Sequence, residues 1–232
     1  MAKRKRTTSI EASLFEAVIR GDLHYISEFI DDSSSNIHTE DDQTLLHFAV
    51  EYGHADIVLF LLTFGADVSK IDKNGMSPLH FAALYGNLDI ATILINNDSN
   101  IDLLDLDGAS PLHMASQNNH LNIVKLLIDN GANIYNEDLE RVTPLHIAIY
   151  NNNVDMVKFF FSQMDKDFIK KKITLHNIVA KYFYQPKILI AQHWLRKFLT
   201  ILSLKWVFLI VFLRLKTASI NQVACVIAAN LQ

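Results

Sequence analysis

Ten histidines, one cysteine and seven glycines are the residues of this 232-residue chain whose chemistry could serve a metal, a nucleophile or a phosphate group. Four of the histidines, His47, His80, His113 and His146, recur at intervals of 33 residues. Side chains on successive packed helices stand roughly 10 Å apart, whereas a shared ion needs ligand bonds of about 2 Å. The spacing excludes a common metal and points instead to hydrogen bonds that tie one turn of a periodic structure to the next. His54 and His120 also sit at equivalent positions, where surface or capping roles are expected. Cys225 lies among small residues with no neighbouring His or acid, and no Gly-x-Ser-x-Gly, Gly-rich phosphate loop or His-Glu-x-x-His motif occurs. No catalytic residue, cofactor site or metal site is predicted, so the chain does not read as an enzyme.

The elements that carry the histidines are legible from the same period. Thr44-Leu-Leu-His47, Ser77-Pro-Leu-His80, Ser110-Pro-Leu-His113 and Thr143-Pro-Leu-His146 each begin a helix. Thr or Ser is a good N-cap, and Pro fits the first helical position because no donor is needed there. Leu46, Leu79, Leu112 and Leu145 are expected in the core, while Ala49, Ala82, Ala115 and Ala148 keep the helix thin enough for a neighbour. Gly53, Gly86, Asn119 and Asn152 follow at a site that suits a left-handed cap. A second helix comes next, with apolar residues at i, i+1, i+4 and i+5, as in Ile57, Val58, Leu61 and Leu62. Asp72-Lys-Asn-Gly75 and Asp105-Leu-Asp-Gly108 then form tight turns. All seven glycines fall on these turns and caps, which leaves none for a phosphate cradle.

Four such motifs at a constant 33-residue period make the chain resemble the ankyrin-repeat family over about residues 8–165. The resemblance implies a mainly α fold, a solenoid of helix-turn-helix-hairpin repeats, followed by a helical C-terminal extension. The expected division is a basic disordered tail at 1–8, a repeat domain at 9–170 and an extension at 171–232. The five repeats are 9–38, 39–71, 72–104, 105–137 and 138–170. The first lacks the Thr-Pro-Leu-His opening, as suits a capping repeat whose outer face meets water. Leu45 replaces Pro in the second, Asp98 takes a left-handed site in the third, and Arg141 and Met164 replace glycines in the fifth. The array is therefore expected to fray toward its C-terminal end, and residues 173–180 read as a degenerate sixth, capping repeat.

Charge separates two materials. Residues 1–165 hold ten basic against 24 acidic side chains, whereas residues 166–232 hold eleven against Asp167 alone. So acidic a body does not suit nucleic acid, which needs clustered Lys and Arg. In the basic tail, residues 198–213 are almost wholly apolar, with Arg196, Lys197, Arg214 and Lys216 at the flanks. Sixteen helical residues reach about 24 Å, short of a hydrocarbon core of about 30 Å. Lys205 near the middle would cost roughly 2.5–3.5 kcal/mol. The segment at 198–215 thus has three readings, a helix that covers the last repeat, a membrane-associated helix, or part of a poorly ordered or abnormal C-terminus. Lys3 to Arg6 could serve as a nuclear-localisation patch. With a lone cysteine and no apolar run after the basic start, neither an oxidising compartment nor a cleaved signal peptide is expected. The chain is expected inside the cell, in the cytoplasm, with membrane-associated and nuclear placements as alternatives.

In repeats of this family the exposed concave face comprises the hairpin tips and the outer side of the first helices. Carried over by position, the tip sites are Glu40, Asp41, Gln43, Lys73, Asn74, Met76, Leu106, Asp107, Ala109, Leu139, Glu140 and Val142. The first-helix sites are Tyr52, Leu84, Tyr85, Gln117, Asn118 and Tyr150. Tyr is enriched in binding hot spots, and apolar tips in a row mark an interface. A protein partner with a basic and partly apolar surface is expected, with no cofactor.

Overall fold

A computed structural model describes residues 2–31 and 34–164, with side chains from Ile10 onward. The chain divides into two compact units, Met1–Thr143 and Pro144–Gln232. The division falls inside the stretch that the repeat period numbers 138–170. In the first unit, helices come in pairs: α1 (Ala2–Arg20) with α2 (Leu23–Phe29), α3 (Leu45–Glu51) with α4 (Ala55–Thr63), α5 (Pro78–Tyr85) with α6 (Leu88–Asn96), and α7 (Pro111–Gln117) with α8 (Leu121–Asp129). The second unit contributes α9 (Pro144–Tyr150) packed on α10 (Val154–Gln163). Among the described residues there is no strand, only an isolated antiparallel bridge between His38 and Thr44. Residues 173–180 and 198–215 lie outside the described residues.

Each short helix starts where its sequence says it must. Thr44, Ser77 and Ser110 are extended N-caps, with ψ of 168°, 167° and 168°, and Pro78 and Pro111 open the helices that follow. The cap sites are left-handed as expected: φ is 78° at Gly53, 82° at Gly86, 61° at Asn119 and 55° at Asn152. Asp98 and Arg141 adopt the same conformation, at 62° and 60°. Met164 does not; it closes α10 in extended conformation, so a glycine is not required there.

One boundary differs. The sequence places residues 1–8 in an irregular tail, but α1 begins at Ala2 and its backbone helix includes the basic residues 3–6. Lys and Arg are strong helix formers, and a helix anchored by the fully buried Leu14 and Val18 extends outward without a second nucleation.

In the first unit the helices form two layers. First helices α1, α3, α5 and α7 pack in succession, as do second helices α4, α6 and α8. Leu46, Leu79 and Leu112 are fully buried between them, beside Ala49, Ala82 and Ala115. Each buried Leu contributes about 1.5–3 kcal/mol relative to exposure, yet no single pair encloses its own apolar side. The second helices bury i, i+1 and i+4, as in Ile57, Val58 and Leu61. The i+5 side chains Leu62, Ile95 and Ile128 are only half-buried, narrower than the expected face.

Two glycines are held in place by the approach of the next repeat. A Cβ on Gly75 would meet the amide nitrogen of Leu106 at 3.0 Å, and one on Gly108 would meet that of Leu139 at the same distance. Both also have positive φ, 78° and 76°. Gly75→Ala and Gly108→Ala are expected to destabilise the protein by about 1–3 kcal/mol each. Gly65→Ala, equally left-handed but with open space around the added carbon, is expected at the lower end; urea unfolding of the three variants checks the order.

Candidate protein-docking face

Three of the four histidines of the repeated motif occupy the seam between repeats. His47 Nε2 lies 3.1 Å from the carbonyl oxygen of Met76, His80 Nε2 3.2 Å from that of Ala109, and His113 Nε2 3.1 Å from that of Val142. A carbonyl only accepts, so Nε2 carries the proton and donates. On the other side of each ring, Nδ1 accepts from the backbone N–H of Thr44, Ser77 or Ser110, each at 3.1 Å. The hydroxyl of the same residue donates to Nδ1 at 2.8–2.9 Å and accepts from the histidine's own backbone N–H. This closed arrangement needs the neutral imidazole. Burial holds all three rings below the ordinary imidazole range, outweighing the carbonyls and the nearby carboxylates of Asp72, Asp105 and Asp138, which act the other way.

The same carbonyls close the hairpins. Asp72 N–H donates to Met76 O, Asp105 N–H to Ala109 O and Asp138 N–H to Val142 O, at 3.0, 2.9 and 3.0 Å. The Oδ1 of each aspartate accepts two amides of its own turn. Neighbouring tips are then joined backbone to backbone: Lys73 N–H to Asp41 O at 3.0 Å, Leu106 N–H to Asn74 O and Leu139 N–H to Asp107 O, both at 2.9 Å. The result is one row of four tips on a hydrogen-bonded support.

The row carries most of the expected residues. Glu40, Asp41, Lys73, Asn74, Leu106, Asp107, Leu139 and Glu140 are exposed, and Gln43 and Met76 half-buried. Lys73 Nζ lies 3.0 Å from Asp41 Oδ1, and that hydrogen bond holds the ammonium above the usual lysine range. On the first helices Tyr52, Tyr85, Gln117 and Asn118 are exposed and Leu84 is half-buried. Tyr85 donates its hydroxyl to Glu51 at 2.9 Å. Partial burial first, and that hydrogen bond second, push its pKa up to about 12. Tyr150, also exposed, belongs to the second unit.

Two expected residues are corrected. Ala109 and Val142 are buried, at 9% and 8% exposure, and serve through their carbonyls rather than their side chains. The position before the Ser or Thr cap belongs to the seam, because its oxygen must face the preceding histidine. Sequence reasoning also missed three participants, Ile71, Leu104 and Asn87. Ile71 and Leu104 are exposed at the base of the tips, and their 33-residue separation was the available signal. Of the two roles expected for His54 and His120, surface or capping, the structure shows capping. Their Nε2 atoms donate to Ile19 O and Leu84 O, each at 3.2 Å, and so satisfy the last turn of the preceding repeat's first helix. Asn87 does the same to Val50 O at 2.7 Å.

Among the described residues no group of three or more His, Cys, Asp or Glu is placed to hold a metal ion, and no helix is long and apolar enough to cross a membrane. Residues 14–105 and 94–172 match a family model described as ankyrin repeats in three copies. A comparison with curated proteins finds no match.

The neutral rings have a pH consequence. The unfolded chain takes up protons near pH 6.5, where the folded protein resists them, so the contribution of these rings is complete above that pH and lost as pH falls below it. The urea midpoint is expected to drop between about pH 7.5 and about pH 5.5. An equal midpoint at the two values would contradict the neutral, doubly bonded rings.

Proposed function

The chain belongs to the ankyrin-repeat family, and from that premise we propose that it is a non-catalytic adaptor or competitor that captures a partner protein on its hairpin tips and first-helix face. Ankyrin repeats are in general protein–protein interaction modules. The observation that supports this reading most directly is the pair Leu106 and Leu139, 68% and 76% exposed on adjacent tips whose backbones are bonded to each other. Large apolar side chains on a pre-ordered support lose little entropy on docking. Beside them stand Glu40, Asp41, Asp107 and Glu140, with Lys73 engaged by Asp41. The partner we propose is accordingly basic and partly apolar, with charge acting on encounter rate and selectivity. We place the protein in the cytoplasm.

The apolar segment 198–213 with its basic flanks favours a second reading, an adaptor tethered to a membrane. Fractionation of the full chain against one ending near Asp167 separates the two. A third, nuclear reading rests on Lys3 to Arg6, and loses its basis if deleting those residues leaves localisation unchanged.

A pull-down with mass spectrometry would identify the partner. Leu106→Glu and Leu139→Glu are then expected to weaken it about tenfold or more while changing stability by no more than about 0.5 kcal/mol. Charge reversal at Glu40, Asp41, Asp107 and Glu140 is expected to slow association and flatten its salt dependence. Binding that ignores both sets would place the interface elsewhere.

A further inference from the structure

Three of the four tips in the row are closed by a carbonyl that has two donors. Met76 O accepts from Asp72 N–H and from His47 Nε2–H, Ala109 O from Asp105 and His80, and Val142 O from Asp138 and His113. The histidine is therefore bonded to the base of the next tip as well as to the cap of its own helix. We propose that His47, His80 and His113 form an acid-sensitive latch on the tip row, so that protonating the rings frees the hairpins and weakens docking. The docking part rests on the function proposed above; the latch itself does not.

The geometry makes the ring's two sides depend on each other. A proton on Nδ1 would face the backbone N–H of Thr44, Ser77 or Ser110 at 3.1 Å, donor against donor. The cap hydroxyl can turn to accept, but the amide cannot. The ring must rotate or the cap must move, and either motion draws Nε2 away from the next tip.

The carboxylates around the rings act on them through charge, and none is hydrogen-bonded to a ring. Asp72 faces His47 and His80, Asp105 faces His80 and His113, and Asp138 faces His113. Each has an Oδ1 engaged by two amides of its own turn. The other titratable neighbour of His47 is His80, which opposes its charging. Phe81 closes one side of His47 edge-on at 5.3 Å between ring centres. Charging His80 makes His47 harder to charge, since two imidazolium charges repel.

The test is hydrogen exchange on the full chain, followed residue by residue at about pH 7.5 and about pH 5.5 and corrected for the intrinsic rate. The amides of Lys73, Leu106 and Leu139 report the tip-to-tip bonds, and those of Leu61, Leu94 and Leu127 report the second helices. The expected result is a loss of protection of about tenfold or more at the tips, with a smaller loss in the second helices. His80→Gln keeps an N–H for Ala109 O without a titrating ring, and should reduce the acid loss at Leu106 more than at Leu139. If that variant does not fold, imidazole nitrogen shifts of the unaltered protein decide. Protonation of the buried rings in step with tip exchange supports the latch; protonation with unchanged tips, or an equal loss in tips and second helices, overturns it. None of these readouts needs a partner, so failure of the latch and failure of the docking reading are separate results.

Discussion

A buried imidazole must satisfy two nitrogens with opposite needs, one as donor and one as acceptor, and in the first unit both needs are met by backbone from different repeats. His47, His80 and His113 each take an N–H from their own cap and give one to the carbonyl that closes the next hairpin tip. Leaving either side open would cost about 1–3 kcal/mol per buried group. Reach accounts for the motif: a cap hydroxyl three residues before the ring, and an oxygen 29 residues after it. Apolar burial supplies the larger stabilisation, but it is nondirectional. The ring hydrogen bonds are what set the register of one helix pair on the next.

From that register the tips follow. Once the carbonyls of Met76, Ala109 and Val142 are pinned, the aspartate-centred turns before them have one arrangement that satisfies every amide, and the next tip lies within backbone hydrogen-bond distance. Glycine at 75 and 108 answers that closeness. The side chains at the tip apex take no part in any of this. Lys73, Leu106 and Leu139 occupy equivalent places and share only their backbone bonds. Chemistry at the apex is thus free to vary from charged to apolar without disturbing the support, which is the condition a recognition surface needs. The Lys73–Asp41 pair is exposed on both sides, 53% and 74%, so its role is to shape the charge of the row rather than to hold it together.

What the sequence made legible is what the backbone demands repeatedly. Gly53, Gly86, Asn119 and Asn152 could be read as left-handed caps because few other residues tolerate that conformation, and Thr44, Ser77 and Ser110 as caps because the hydroxyl is needed. Ala109 and Val142 were misplaced because their function lies in a carbonyl, which every residue has, and a side-chain pattern cannot report it. The helical start at Ala2 was hidden for a related reason: a basic run reads as solvated in either conformation. His54 and His120 were found by period and expected as surface or capping groups, but not the carbonyl each reaches, since the sequence does not say toward which neighbour a ring points. For the proposed docking face, the exposed Leu106, Leu139, Tyr52 and Tyr85 were legible from position, but a partner is not, because exposure is defined by what is missing.

His54 and His120 also show that positions in different repeats are constrained as pairs. The ring of His120 reaches Leu84 O by passing over Gly86, where a Cβ would lie 2.6 Å from Cε1, and His54 passes over Gly21 with 2.8 Å. Asn87, shorter and without a ring, makes the equivalent bond to Val50 O and would leave 3.7 Å to a Cβ on Gly53. A histidine at the start of a second helix therefore requires a bare glycine in the preceding repeat, whereas an asparagine there leaves ordinary van der Waals room. The left-handed cap has two independent reasons for glycine, backbone conformation and the ring above it, and only the first can be answered by Asn. Repeats that look interchangeable along the chain are matched in neighbouring pairs, and exchanging one alone would break a seam that neither motif reveals by itself.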